Sequence, residues 1–361
     1  MKTMKKYFLI LLLALIVISL SACTGRRVAA TGWSEITLKE DIVYFSYGPQ
    51  VYALNVKTGA QQWVYPVETE TGVDFYAAPV FADNETQLIV ASYDSNLYSI
   101  DPATGRENWS FTNAENRYVA APLVTERGIF APSSDSKLYG VDLNGIPLWE
   151  PFETGEPIWA SPAWSESCGC IYLASMDHIL YAISPETGSL LWKTEDLGGP
   201  IVSQPAVSEE SGLVIVSTFN NEIVALDEKS HRVVWRYNTS DWAWASPMID
   251  GEQVYISDLS GTFYALELET GNLLWQLQPG GSIVSAPLVQ DGQIYFSTDA
   301  SSLVVVSTDG VVQRNLPIEG KLYSSPASNG DIILLAPSEA EFFLIALNQN
   351  GTQIWEYPQA E

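Results

Sequence analysis

The chain has 361 residues, of which 47% are hydrophobic and 17% charged, which is enough for one large domain or for two or three small ones. Its 17 basic and 43 acidic residues give a net charge of −26, so a phosphate backbone would repel it and we expect no nucleic-acid partner. Two histidines and three cysteines exclude a histidine-rich metal centre, an iron–sulfur site and a disulfide scaffold, so no metal site is predicted.

The first elements along the chain form a targeting signal. A lysine-rich start precedes an apolar run over residues 7–20, which is shorter than the roughly 20 residues of a membrane span and has the length of a signal-peptide core. The run ends in Leu-Ser-Ala-Cys at residues 20–23, which resembles the lipobox of bacterial lipoproteins. This resemblance implies a signal peptide over 1–22, an acylated Cys23 and a tether over 23–32.

Such a lipoprotein is extracytoplasmic and anchored to a membrane. In a cell with two membranes we expect it on the periplasmic face of the outer membrane, and otherwise on the outer face of the cytoplasmic membrane. Anionic lipids would repel the acidic remainder of the protein, so we predict that the lipid anchor alone holds the protein at the membrane.

The remainder of the chain, residues 33–361, is a repeat. Tryptophans recur at intervals of roughly 42 residues, and one double interval is centred near Arg314, so the chain contains eight repeats. The seven repeated tryptophans are Trp63, Trp109, Trp149, Trp192, Trp235, Trp275 and Trp355.

Each repeat contains four short β segments. Every repeat after the first opens with a small or polar residue and a proline, as at Ser161-Pro162. The repeat continues through a β-rich run, a polar turn that often holds an aspartate, an alternating strand and a second turn that is often Thr-Gly. The aspartates recur once per repeat and do not cluster as in a calcium loop, so we interpret them as turn-stabilising. Four strands per repeat and this period predict an all-β fold, namely an eight-bladed β-propeller of four-stranded antiparallel blades over residues 33–361.

The segment before each tryptophan is the most specific signal. Residues 53–63 read ALNVKTGAQQW, and residues 99–109, 182–192 and 265–275 repeat this length with Thr-Gly in place. The segment resembles the tryptophan-docking motif of the PQQ-like β-propellers, the quinoprotein repeat family. This resemblance implies that the seven repeated tryptophans are structural docking residues that pack against the next blade.

Two branches of that family are relevant. One contains the quinoprotein alcohol and glucose dehydrogenases, and the other contains the BamB-like lipoproteins, which are non-catalytic scaffolds of the machinery that assembles outer-membrane β-barrels. The length, the lipobox and the eight uninterrupted repeats resemble the second branch. This resemblance implies a protein-interaction scaffold without enzymatic activity or cofactor, whose partner is an envelope protein such as a β-barrel assembly protein. We expect the scaffold to be a monomer.

The first branch supplies the alternative, a dehydrogenase that holds PQQ with Ca²⁺. In that branch two adjacent cysteines lie against the quinone, whereas here Cys168 and Cys170 are separated by one residue. Three interpretations are open for this pair, namely a redox function, a local disulfide and two idle thiols. The sequence contains no nucleophile elbow, phosphate loop or metalloprotease motif, so no catalytic residue is predicted.

Candidate binding residues lie three positions before the proline of each repeat. Aromatic residues alternate there with valines, in the order Tyr76, Val119, Trp159, Val202, Trp244, Val284 and Tyr323. In a propeller these positions surround one mouth of the channel. Two interpretations are open, namely that the aromatic residues stack on a planar ligand, a glycan or a protein partner, or that large and small residues alternate to pack the blades.

One further partner candidate comes from the BamB-like branch. There, a Leu-Arg-Gly stretch before such a proline contacts the barrel protein. In this chain only Arg117 is comparably placed, and no glycine follows it.

Overall fold

The computed structural model describes residues 35–69, 71–82 and 84–359. Within these ranges the protein is all-β and forms eight four-stranded antiparallel sheets, arranged as the blades of a propeller, which confirms the predicted fold. The predicted signal peptide, the lipidated Cys23 and the tether, which together span residues 1–32, lie outside the described residues.

The first four blades follow one another along the chain. Blade 1 contains β1 (Ile36–Lys39), β2 (Ile42–Tyr47), β3 (Gln50–Asn55) and β4 (Gln61–Tyr65). Blade 2 contains β5 (Val80–Ala82), β6 (Gln87–Ala91), β7 (Leu97–Ile100) and β8 (Glu107–Phe111). Blade 3 contains β9 (Leu123–Thr125), β10 (Gly128–Pro132), β11 (Lys137–Val141) and β12 (Phe152–Glu153). Blade 4 contains β13 (Ala163–Ser165), β14 (Cys170–Ala174), β15 (Leu180–Ile183) and β16 (Leu190–Lys193).

The second half repeats this order, and blade 8 adds an extra strand pair. Blade 5 contains β17 (Ala206–Ser208), β18 (Leu213–Thr218), β19 (Glu222–Asp227) and β20 (Arg232–Asn238). Blade 6 contains β21 (Met248–Asp250), β22 (Gln253–Ser257), β23 (Phe263–Glu267) and β24 (Leu273–Leu277). Blade 7 contains β25 (Leu288–Gln290), β26 (Gln293–Thr298), β27 (Ser302–Ser307) and β28 (Val312–Pro317). Blade 8 contains β30 (Ala327–Ser328), β31 (Ile332–Leu335), β33 (Leu344–Asn348) and β34 (Gln353–Tyr357), and β29 (Lys321–Leu322) pairs with β32 (Pro337–Ser338) beside it.

The first strand of each blade is nearest the central axis. Neighbouring blades approach each other through these strands, as in the contacts of β5 with β9, β9 with β13 and β13 with β17. The first strand of blade 1 contacts the first strand of blade 8, which closes the ring between the two ends of the repeat array.

The hydrophobic core lies between the blades. The second and third strands of a blade are covered on both faces, so they read as continuous apolar runs, and every residue of β18 is buried. One cluster joins Val43 and Leu54 of blade 1 to Leu334 and Ala346 of blade 8, and the other clusters likewise join neighbouring blades. The outer fourth strands are largely exposed.

Strand direction separates two ends of the propeller. Because strands alternate in direction, the turns between second and third strands lie at the same end as the segments that connect successive blades. We call this the mouth end. The turns between first and second strands and the Thr-Gly turns lie at the opposite end, which we call the Thr-Gly end.

The docking tryptophans join each blade to the next. Trp149 lies just before the short strand β12, whereas the other six lie within fourth strands. The indole Nε1 donates to a backbone carbonyl of the next blade in these pairs: Trp63 to Pro102 (2.8 Å), Trp109 to Leu143 (2.9 Å), Trp149 to Pro185 (3.0 Å), Trp235 to Leu268 (2.9 Å), Trp275 to Thr308 (2.9 Å) and Trp355 to Val56 (2.8 Å).

The Thr-Gly turn of the next blade receives the indole. Gly271 has a φ of +70°, and a Cβ at this position would lie 2.5 Å from the ring of Trp235. Gly188 has the same arrangement against Trp149. Glycine is therefore favoured here both by the left-handed backbone and by the close approach of the ring.

Two junctions depart from this pattern. Between blades 7 and 8, Arg314 replaces the tryptophan, and its guanidinium donates to the carbonyl of Gln349, which is equivalent to the other acceptors. Between blades 4 and 5, His231 occupies the glycine position with a φ of 57°. Its imidazole stacks on Trp192 with 4.3 Å between ring centroids and 16° between ring planes.

Candidate interaction site at the mouth end

The segments that connect successive blades form the rim of the mouth end, and each is held by the two blades that it joins. Between blades 2 and 3, the N–H of Tyr118 donates to the carbonyl of Ser92 in blade 2 (3.1 Å). The carbonyl of the adjacent Arg117 accepts from the N–H of Ser134 in blade 3 (3.0 Å). Equivalent bonds recur at other junctions, so the side chains of the rim extend from a fixed backbone.

The turn aspartates support the same rim. Asp135 accepts hydrogen bonds from the hydroxyl of Tyr139 and from the N–H of Glu115, both at 2.8 Å. Asp258 is fully buried and accepts from the N–H of Ser240 at 3.0 Å. These carboxylates therefore join turns to connecting segments. Within the described ranges no three histidine, cysteine, aspartate or glutamate side chains are grouped as potential metal ligands.

The residues three positions before the prolines differ in exposure. Tyr76 is only 8% exposed, whereas Trp159, Trp244 and Tyr323 are partly exposed. The residue immediately before each of these four is buried. Tyr76 therefore fits the packing interpretation, and the other three retain surface at the rim.

Tyr76 and Arg117 are brought together by an aromatic residue that the sequence analysis did not select. The rings of Tyr76 and Tyr93 lie 4.2 Å apart, and the Arg117 guanidinium lies 5.1 Å from the centroid of the Tyr93 ring. Burial, aided by Asp74 and Tyr93 and opposed by Arg117, raises the pKa of Tyr76 to about 12. Arg117 is thus engaged with the chain's own aromatic residues.

Trp244 belongs to a second aromatic cluster, which we call the aromatic platform and define as Phe219, Trp242 and Trp244. The rings of Phe219 and Trp242 are stacked, with centroids 4.9 Å apart and planes 9° apart, and Trp244 lies 5.1 Å from Phe219. Trp242 is 46% exposed. Trp244 was predicted from the sequence, whereas its grouping with Phe219 and Trp242 was not. Alignment of the repeats places Trp242 at the position of Arg117, five residues before a proline.

Trp159 and Tyr323 are not part of either cluster. The Nε1 of Trp159 is buried and has no hydrogen-bond partner among the described residues. Tyr323 lies beside Lys321, whose ammonium group donates to Glu339 at 3.1 Å. Among the described residues, these two side chains therefore belong to neither of the two aromatic clusters.

Cys168, in the turn between β13 and β14, forms a disulfide with Cys170, the first residue of β14. Cys170 is fully buried in the cluster between blades 4 and 5, which is deeper than its place at a turn suggests. The pair lies at the Thr-Gly end, opposite the aromatic rim. It cannot contact a quinone that stacks on the rim, so these residues do not fit a quinoprotein site.

A buried carboxylate beside this turn was also missed. Glu228 is 8% exposed and accepts hydrogen bonds from the hydroxyls of Ser165 (2.6 Å), Ser167 (2.6 Å) and Tyr172 (3.0 Å). Because these donors belong to blade 4 and Glu228 belongs to blade 5, the carboxylate links the two blades and has a structural role.

No helix within the described ranges has both the length and the apolar character that a membrane span requires.

Comparison with known proteins agrees with the geometry. A family profile described as outer membrane protein assembly factor BamB matches residues 16–152, 50–221, 152–243, 175–279 and 220–361. BamB of Burkholderia pseudomallei is 23% identical over 113 residues, which are 31% of this chain and 29% of that protein. The beta-alanine-activating enzyme of Danio rerio is 31% identical over 83 residues, which are 21% of this chain and 7% of that enzyme. The chain thus spans less than a third of the length of either curated relative.

Two solved structures share the fold. The crystal structure of BamB from Moraxella catarrhalis has a TM-score of 0.70 at 15% identity and covers 84% of this chain and 93% of its own. The computationally designed protein Ika8 has a TM-score of 0.73 at 13% identity and covers 90% of this chain and 96% of its own. These likenesses show the fold alone, whereas the family profile covers the whole propeller, and the chain therefore belongs to the BamB family of PQQ-like β-propellers.

Proposed function

We propose that this protein is a non-catalytic scaffold of the cell envelope, anchored by a lipid on Cys23, that docks an envelope protein at its mouth end. The observation that carries the proposal is a fixed rim with partly exposed aromatic side chains, of which Trp242 is 46% exposed. Aromatic residues on a preorganised backbone are typical hot spots of protein interfaces. In a cell with an outer membrane, the proposed partner is a β-barrel assembly protein, in keeping with the name of the BamB relatives.

The non-catalytic role is supported by the position of the disulfide, at the opposite end from the aromatic rim. No observation favours the alternative of a PQQ- and Ca²⁺-dependent dehydrogenase. A shifted quinone spectrum or dye-linked dehydrogenase activity, after full-length protein is mixed with PQQ and Ca²⁺, would overturn the proposal of a non-catalytic scaffold.

The lipid anchor predicts the location of a variant. Cys23→Ser removes the thiol to which the lipid would be attached. We therefore expect the protein to move from the membrane fraction to the soluble fraction. The double change of Cys168 and Cys170 to serine is the matched control and should leave the protein in the membrane fraction. Membrane retention of Cys23→Ser would contradict the lipid anchor.

The rim predicts the location of the partner contact. Trp159→Ala and Trp244→Ala should each lower the yield of the main crosslinked envelope complex about tenfold, with thermal midpoints lowered by only a few degrees. Val284→Ala, at the equivalent position of another repeat, should change neither quantity. A large drop in thermal midpoint with unchanged crosslinking of the folded fraction would show that these tryptophans serve packing alone.

A further inference from the structure

The aromatic platform presents an indole on a rigid support. The carbonyl of Trp242 accepts from the N–H of Leu259 at 3.0 Å, and the N–H of Trp242 donates to the carboxylate of Asp241 at 2.8 Å. The N–H of Phe219 donates to the carbonyl of Pro200 at 2.9 Å. The backbone of both members of the stacked pair is therefore fixed before any partner arrives, and the two rings support each other, which lowers the entropic cost of binding.

The repeat provides an internal template for what stacks here. Arg117 and Trp242 each lie five residues before the proline of a repeat. Tyr93 and Phe219 occupy the same position in their turns, since the N–H of each donates to the carbonyl five residues before a proline. Between blades 2 and 3 a guanidinium covers the turn aromatic, and between blades 5 and 6 the indole of Trp242 covers it.

Because Trp242 takes the place of Arg117, the stack between blades 5 and 6 has one more aromatic ring than the stack between blades 2 and 3. Where Arg117 ends the first stack with a charge, Trp242 ends the second with a ring that is 46% exposed. In the first stack a guanidinium lies on the last aromatic ring. The same order in the second stack places a cation from outside the chain on the ring of Trp242.

The charges near the platform also favour a cation. The connecting segments over residues 194–205 and 239–247 contain Glu195, Asp196 and Asp241 but no lysine or arginine. Arg236 on the adjacent outer strand is already paired with Glu222. With a net charge of −26, the protein attracts basic partners at long range.

We propose that the aromatic platform binds a cationic segment of a partner protein, with an arginine side chain stacked on the exposed indole of Trp242. This proposal rests on the proposed scaffold function and specifies the chemistry of its partner. Arginine is favoured over lysine because its planar guanidinium stacks on an aromatic face as well as carrying charge.

Labelled peptides test this proposal with the purified full-length protein. The probe is a ten-residue peptide that alternates arginine and serine, and its binding is measured by fluorescence anisotropy. Matched peptides carry citrulline, lysine or glutamate in place of arginine. We expect the arginine peptide to bind at least tenfold more tightly than the citrulline peptide, with the lysine peptide between them and no binding of the glutamate peptide.

Variants separate the platform from the general charge of the protein. Trp242→Ala should weaken binding of the arginine peptide about tenfold, and Trp242→Arg, which reproduces the arrangement of Arg117, should weaken it further while the protein remains folded. Val234→Ala removes an aliphatic side chain of similar exposure from the outer strand of blade 5 and should have no effect. Equal affinity of wild-type protein and Trp242→Ala would show binding by net charge alone and overturn the proposal, as would equal binding of the arginine and citrulline peptides.

The two levels of proposal fail in different ways. If the main crosslinked envelope partner is retained by Trp242→Ala at the wild-type yield, the cationic platform is wrong and the scaffold proposal stands. If no envelope protein dominates the crosslinked products of wild-type protein, the scaffold proposal fails whatever the peptides show.

Discussion

Replacing Trp355 by alanine is expected to destabilise the protein by about 3–5 kcal/mol, the range found for removal of a large buried aromatic side chain. The indole is 6% exposed, it packs on Gly59 of blade 1, and its Nε1 donates to the carbonyl of Val56 at 2.8 Å. Alanine would leave a cavity at the junction of the last and first blades and an unpaired carbonyl beside it. Urea denaturation followed by intrinsic fluorescence would measure the change in the free energy of unfolding.

This junction differs from the others in its connection along the chain. The residues joined by the Trp355 hydrogen bond are 299 positions apart, whereas those joined by Trp63 and Pro102 are 39 apart. Loss of the Trp63 contact leaves its two blades tethered by a short connection, but the first and last blades are held together by non-covalent contacts. We therefore expect Trp355→Ala to cost at least as much as Trp63→Ala, which has matched burial and hydrogen-bond length.

Exposed Trp242 provides the complementary control. Trp242→Ala should change the free energy of unfolding by no more than about 1.5 kcal/mol, because the indole is 46% exposed and its stack on Phe219 accounts for about 0.5–1.5 kcal/mol. If Trp355→Ala has as small an effect as Trp242→Ala, the indole does not hold the ring closed. A much smaller effect of Trp355→Ala than of Trp63→Ala would mean that the ring tolerates an open junction between its ends.

The fold was predictable because a single contact is built repeatedly from the same residues. A tryptophan, a Thr-Gly turn and a small-residue-proline step recur at nearly constant spacing in most of the repeats. The loss of one tryptophan also leaves the repeat recognisable in the sequence. Arg314 replaces a tryptophan but still donates to the equivalent carbonyl of the next blade.

The interaction site was only partly predictable, because its residues come from different positions of different repeats. Phe219 lies in a turn and Trp242 in a connecting segment, and their stacking depends on the path of the backbone across the rim. Glu228 is one of 43 acidic residues, and its three hydroxyl donors lie 56 to 63 positions away in the preceding blade. Nothing in local sequence distinguishes such a buried carboxylate from a solvated one.

The second large effect is expected at alkaline pH, where the free energy of unfolding should fall steeply. Burial raises the pKa of Tyr52, Tyr76 and Tyr255 each to about 12, from about 10 in an unfolded chain. The folded state therefore favours the neutral phenol. The stabilisation from these groups is fully present below about pH 10 and is lost between about pH 10 and 12, as the tyrosines of the unfolded chain ionise. The raised pKa of each of these tyrosines lowers the free energy of unfolding by at most about 1.1 kcal/mol per pH unit in that interval.

A single substitution separates this effect from general charge repulsion. Tyr255 is fully buried, and its hydroxyl donates to the side-chain carbonyl of Gln253 at 3.0 Å. Tyr255→Phe removes one buried titrating group. Between about pH 10 and 11 the free energy of unfolding of this variant should therefore fall by about 1 kcal/mol less than that of wild-type protein, whatever the difference between the two at neutral pH. If the two curves instead fall in parallel, alkaline unfolding is driven by repulsion within a chain of net charge −26 and not by the buried phenols.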